Sequence, residues 1–168
     1  MNASLLFHVA LAHSLLAASA VLPDIIKNPP IIINETISMA KGAYVRTGKV
    51  DDLKRGDIIA MPMNASARDY LGARLGYPQD TMLIKRVVGL SGDIICRHGT
   101  VVTIDAQVVT ASLKDAKGYG LPAWRGCHML LPSEVFLIGD HASSFDSRYF
   151  GPVSRQELSG TYKAVITW

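Results

Sequence analysis

Apolar and polar positions alternate along this chain in three regimes. From Leu5 to Leu22 the sequence is mostly apolar and carries no charge, and the first charged side chain is Asp24. Next comes Pro23-Asp24-Ile25-Ile26-Lys27-Asn28-Pro29-Pro30, whose prolines deny a helix and predict an extended connector. Beyond it lie short apolar, β-branched runs broken by Gly, Asp, Pro and Ser. They are Ile31 to Ile33, the turn and strand Lys54 to Met61, Thr81 to Leu90, Asp93 to Arg97, Thr100 to Val109, Glu134 to Ile138, and Thr161 to Trp168. That spacing predicts a mostly β, antiparallel domain. Ala67, Tyr70, Leu71 and Leu75 recur near helical spacing and predict a helix over Ala65 to Tyr77, while Gly118, Gly120 and Pro122 predict an irregular loop over Lys114 to Gly126.

The first apolar stretch is long enough for the lower limit of a membrane span, and Ala18-Ser19-Ala20 is a small-x-small pattern of the kind cut in secretory signals. A membrane anchor and a cleaved signal peptide are both open, with a buried core helix as the plainer alternative. No Lys or Arg precedes the segment, so only the α-amino group supplies positive charge on that side. Export of the remainder follows from either of the first two readings. The expected division is residues 1–22 as one N-terminal apolar helix, 23–34 as connector and 35–168 as a single folded domain.

With 168 residues, 49% of them hydrophobic, the chain has enough material for one core and too little for two ordinary domains. The net charge of +3 comes from scattered basic residues without aromatic interleaving, which gives no indication of nucleic-acid binding. The two cysteines, Cys96 and Cys127, either pair in an exported domain or remain separate buried thiols.

The chemistry concentrates at Ser38 and Lys85. A hydroxyl is a poor nucleophile at neutral pH and needs a base within hydrogen-bond reach; a lysine can serve only if its surroundings keep it uncharged. Lys85 sits within Met82-Leu83-Ile84-Lys85-Arg86-Val87-Val88-Gly89-Leu90, an apolar run whose burial would lower its pKa.

Four separated segments together resemble the type I signal peptidases. Thr36-Ile37-Ser38-Met39 is similar to the nucleophile box of that family, Lys54-Arg55-Gly56-Asp57-Ile58-Ile59 to its second box, and Ile84 to Asp93 to its lysine box. Gly139-Asp140-His141 with Ser144-Phe145-Asp146-Ser147-Arg148-Tyr149-Phe150-Gly151 is similar to the fourth. Within the family the closer resemblance is to the small TraF-type peptidases of conjugative plasmid transfer. Ser38-Met39-Ala40-Lys41-Gly42-Ala43-Tyr44 resembles their Ser-x-Pro-x-Gly-x-Tyr signature, and the terminal Val165-Ile166-Thr167-Trp168 is similar to theirs. Two departures stand out: Ala40 where a proline is usual, and His141 where the general signal peptidases carry asparagine.

The resemblance implies an antiparallel signal-peptidase-like catalytic domain with a Ser-Lys dyad. Ser38 would be the nucleophile and Lys85 the base, with an oxyanion hole from the Ser38 N–H and the Thr36 hydroxyl. Ser144 would orient the lysine, and Asp146 between Arg86 and Arg148 would clamp the lysine strand to its loop. It implies an exported precursor as substrate, most plausibly propilin, with the membrane and the conjugative transfer apparatus as partners, periplasmic placement and no cofactor. His98, His128 and His141 lack an orienting motif for a conventional triad, and the scattered Asp and His residues show no metal-ligand spacing. Asn2, Asn34 and Asn64 head Asn-x-Ser/Thr triplets and are taken as chance matches. A general leader peptidase and a non-catalytic assembly factor built on the same fold are the alternatives. Self-cleaving repressors share the Ser-Lys chemistry but need a DNA-binding helical domain, where this chain has an apolar segment.

Overall fold

Strands carry most of the regular structure in the computed structural model, which describes residues 27–168. The expected apolar helix, most of the connector's first half and Asn2 lie outside the described residues. No helix among the described residues is long and apolar enough to cross a membrane. The chain divides into residues 1–30 and residues 31–168, and both sheets belong to the second unit.

In chain order the strands are β1 (Ile31–Asn34), β2 (Gly42–Gly48), β3 (Ile58–Pro62), β4 (Met82–Gly89), β5 (Ile94–His98), β6 (Val101–Ile104), β7 (Gln107–Thr110), β8 (Gly126–Met129), β9 (Glu134–Ile138), β10 (Val153–Ser154) and β11 (Gly160–Thr167). A seven-stranded sheet runs β1-β2-β11-β3-β4-β9-β10 and a four-stranded sheet runs β7-β6-β5-β8, with antiparallel pairing throughout. The domain is therefore mostly β and antiparallel, as the broken apolar runs predict.

Continuous apolar runs buried on both faces of the sheet explain the placement. In β9, Val135, Phe136 and Leu137 are fully buried, and with Ile59, Met61 and Val87 they form the heart of the larger core. A second, smaller core joins Ile32, Met39, Tyr44, Ala60, Ile84 and Tyr162. Met39 immediately follows Ser38 and is 2% exposed. Burying such a side chain contributes roughly 2 kcal/mol, which pins the chain next to Ser38 to the sheet.

Several sequence expectations are revised. Ile31–Asn34 is not connector but a strand paired with β2, so the folded domain begins earlier than residue 35. Thr100 to Val109 is two strands, because Asp105 (φ 47°) turns the chain between β6 and β7. The helix over Ala65 to Tyr77 is a short α1 (Ala65–Ala67), capped by Asn64 Oδ1 accepting from Ala67 N at 2.9 Å, that widens into a π-type turn over Arg68–Arg74. That turn places Tyr70 on Phe145, with ring centroids 4.7 Å apart. The loop over Lys114 to Gly126 ends by entering β8, whose Cys127 faces Cys96 of β5; the two form a disulfide. The strand β2, the short helix α2 (Ser147–Phe150) and β10 lack a sequence signal strong enough to anticipate them.

Candidate active site

Ser38 lies in the connection of the β1–β2 hairpin. Asn34 closes β1 and pairs with Gly42, the first residue of β2, so residues 35–41 leave and return at one neck. A Cβ on Gly42 would lie 2.1 Å from the Ile166 carbonyl oxygen of β11, so glycine is needed for the strands to approach. At the same neck Trp168 N donates to Lys41 O at 3.1 Å. The terminal Val165-Ile166-Thr167-Trp168 thus braces the loop's exit.

Lys85 comes from β4, opposite Ile59 of β3, and is 2% exposed. Its Nζ lies 3.2 Å from Ser38 Oγ and donates to the Ile84 carbonyl at 3.0 Å. Burial lowers its pKa from 10.5 to about 8, with Arg148 adding to the lowering and Asp146 opposing it. Free amine is therefore accessible near neutral pH. A neutral amine has two N–H groups and one lone pair; the bond to Ile84 O uses one N–H and leaves the lone pair for Ser38.

Thr36 Oγ1 lies 2.9 Å from Ser38 Oγ and 2.8 Å from Asn34 Oδ1. The structure therefore brings Thr36, Ser38 and Lys85 together as the sequence predicts. They line a cleft of about 440 Å³ together with Tyr70, Leu71 and Phe145. The stretch Met82–Lys85 pairs with β3 on one edge, while pairing with β9 begins only at Arg86.

Ser144 lines the same cleft as Lys85, and no hydrogen bond joins the two side chains. Its buried hydroxyl makes no hydrogen bond. It is packed against Gly139, where a Cβ would fall 2.2 Å from Ser144 Oγ and 2.7 Å from Ser38 O. The hydrogen bonds of Lys85 Nζ run to its own preceding carbonyl and to Ser38 Oγ.

The ion cluster is split. Asp146 is fully buried and accepts from Arg148 Nε and Nη2 at 2.8 Å each, and from Gly139 N at 2.9 Å. Arg86 does not join it. Arg86 makes a bidentate pair with Asp140, at 2.8 and 2.7 Å, and donates to Gly56 O at 2.8 Å. Consecutive strand residues face opposite sides of a sheet, so Arg86 cannot share the face on which Lys85 lies near Asp146. Arg148 spreads its remaining donors over Thr110 O, Ala142 O and Ser144 O. One guanidinium thereby ties the fourth segment to the end of β7.

His141 donates its backbone N–H to Ser38 O at 3.3 Å, while its ring Nδ1 contacts Ser143 Oγ at 2.8 Å. The contact to Ser38 is made by main chain, which any residue but proline can supply. His128 pairs with Glu134 at 2.6 Å, and His98 ends β5, so both belong to other regions of the fold. Cys96 and Cys127 link β5 to β8 in the smaller sheet.

Asn34 is the residue that the sequence reading passes over. Its carboxamide is buried and bonds to Thr36, Met39 and Ala40. The available signal was a polar residue closing an apolar strand two positions before Thr36.

The buried lysine of β4 and the hydroxyl of the hairpin loop lie within hydrogen-bond reach of each other, and the chain belongs to the family described as signal peptidase, peptidase S26, which it matches over residues 3–168. Among curated relatives, the plasmid transfer protein TraF of Escherichia coli is 32% identical over 138 residues, covering 76% of this chain and 71% of its own. The conjugal transfer protein TraF of Agrobacterium fabrum (strain C58 / ATCC 33970) is 33% identical over 150 residues, covering 81% and 82%. A signal peptidase I from Enterococcus faecalis V583 superposes with a TM-score of 0.38 at 21% identity, over 66% of this chain and 96% of that one, a likeness too slight to bear on the site.

Proposed function

We propose that the chain is a serine endopeptidase with a Ser38–Lys85 dyad that processes an exported precursor, the propilin of a conjugative system. The observation that carries this reading is the 3.2 Å approach of Lys85 Nζ to Ser38 Oγ from a buried position where its pKa falls to about 8. Membership in a peptidase family and relatives named for conjugal and plasmid transfer support the substrate context.

In the acylation step Lys85 takes the Ser38 proton as Oγ bonds to the scissile carbonyl carbon. The oxyanion accepts from the Thr36 hydroxyl and the Ser38 N–H, and collapse expels the amine, which takes the proton from Lys85. Lys85 then removes a proton from the nucleophile that attacks the acyl-enzyme. Water gives a linear product, and the substrate's own amino terminus gives a cyclic one. The substrate backbone adds along the unpaired edge at Met82–Lys85, the usual manner in which an extended peptide joins a sheet. The work takes place on the periplasmic side of the cytoplasmic membrane, beside the transfer apparatus that receives the product.

The test is processing of the propilin encoded with the chain, in membranes carrying wild type, Ser38→Ala or Lys85→Ala at matched protein levels, with product masses recorded. Loss of processing in both variants is expected, and a product one water lighter than the linear peptide identifies cyclisation. Undiminished processing in both would overturn the peptidase reading and favour a docking role in pilus assembly.

A further inference from the structure

We propose that Asn34 is the positioning residue of this site: its buried carboxamide fixes the backbone on both sides of Ser38 and holds the Thr36 hydroxyl ready for delivery to the oxyanion. The inference rests on the peptidase reading of Ser38 and Lys85.

Asn34 is 7% exposed and sits at the neck of the nucleophile hairpin. Its Nδ2 donates to Thr36 O at 2.9 Å, Ala40 O at 3.0 Å and Met39 O at 3.1 Å. Carbonyls only accept, so the chemistry fixes which end of the amide faces them. On the other side Oδ1 accepts from Thr36 N at 3.2 Å and Thr36 Oγ1 at 2.8 Å. One side chain therefore binds the loop before Ser38, at Thr36, and after it, at Met39 and Ala40.

Ala40 occupies the position at which the resembling peptidases carry proline. Its carbonyl is held twice, by Asn34 Nδ2 and by Tyr44 Oη at 2.7 Å. Hydrogen bonds thus supply the stiffness that a ring would otherwise give the backbone.

The Thr36 hydroxyl has a single proton. Because Asn34 Oδ1 can only accept, that proton lies on the Thr36–Asn34 bond in the resting site, and the 2.9 Å contact with Ser38 is filled by the serine donating to Thr36. When Ser38 attacks, its O–H turns from Thr36 Oγ1 to the Lys85 lone pair and gives up its proton there, the carbonyl π pair moves onto oxygen, and the Thr36 O–H turns from Asn34 Oδ1 to that oxygen. Asn34 Oδ1 keeps the Thr36 N–H throughout. The exchange replaces a neutral acceptor with an anionic one, which favours the transition state over the resting site. Aspartate at this position would compete for the proton with a charge of its own and would turn the three donor contacts into repulsions.

The experiment uses the full chain in membranes, the propilin substrate, and the variants Asn34→Ala, Asn34→Asp, Thr36→Val, Asn34→Ala with Thr36→Val, and Ser38→Ala. Folded protein is quantified by thermal melting and by the intact Cys96–Cys127 disulfide. Per folded molecule, Asn34→Ala is expected to lower kcat about 10- to 100-fold, the scale of a misplaced reacting group. KM should stay within about twofold, and the acidic midpoint of the pH profile should not move. Thr36→Val is expected to cost about 100- to 1000-fold. The double variant should fall less than the product of the two single losses, because both act through one hydroxyl. Asn34→Asp, which keeps the shape, should lose at least as much as Asn34→Ala. Full kcat per folded molecule in Asn34→Asp, or strictly multiplicative losses in the double variant, would overturn the inference while a dead Ser38→Ala leaves the peptidase reading standing. Processing that survives in Ser38→Ala, or fails in wild type, overturns both.

Discussion

Lys85 carries a cost that its chemistry requires. Below about pH 8 the folded protein holds a buried ammonium, whereas the unfolded chain keeps its proton up to the ordinary 10.5. The penalty, on the order of 3 kcal/mol, is present in full below the folded pKa and is relieved as pH rises from about 8 towards 10.5. Processing should accordingly climb on an acidic limb centred near pH 8, measured as kcat/KM against pH. Lys85→Met should abolish processing yet raise the denaturant midpoint at pH 7, by about 1 to 3 kcal/mol in stability. Gly139 makes the opposite bargain of size. A methyl group there would strike both Ser144 Oγ and Ser38 O, so Gly139→Ala should cut processing at least tenfold while global unfolding shifts far less. An unaltered rate in that variant would show that the loop yields to the methyl. Ser38, Lys85 and Thr36 were legible in sequence because a nucleophile, an apolar-flanked lysine and a nearby hydroxyl have recognisable neighbours. The part Asn34 plays was not, since five hydrogen bonds from one amide depend on where a loop returns.

Among elements, legibility followed the strength of patterning. The strands β3, β4 and β9 are dense in buried apolar residues and stood out, while β2 is interrupted by Gly, Arg and Thr and gives no clear strand signal. The run from Thr100 to Val109 hid a hairpin because its two turn residues, Asp105 and Ala106, lack the Gly that usually betrays one. The proposed partnership of Asp146 with both arginines failed for the alternation of strand faces, which is visible in sequence once β4 is accepted as a strand. The consequence is unequal roles. Arg148→Ala would strand the fully buried Asp146 carboxylate and is expected to destabilise the domain by about 3 to 5 kcal/mol in urea unfolding. Arg86→Ala removes a partly exposed pair with Asp140 and should cost below about 1 kcal/mol. Equal losses in the two variants would contradict this division.

Over the whole folded unit, chemistry and reinforcement occupy different sheets. The proposed dyad rests on the seven-stranded sheet, with Lys85 in β4 and Ser38 in the β1–β2 connection, and the disulfide belongs to the four-stranded one. Closing a loop of this length stabilises by roughly 3 to 4 kcal/mol on the chain-entropy account. Reduction, or Cys96→Ser with Cys127→Ser, should lower the melting temperature but leave processing per folded molecule unchanged at a temperature where the protein stays folded. A matching fall in specific activity would mean that the smaller sheet shapes the cleft directly. The seam where Trp168 meets Lys41 has a practical corollary for anyone purifying the protein. Anything attached directly at Trp168 would start at the foot of the hairpin bearing Ser38, so an affinity handle there needs a long spacer to leave the seam undisturbed.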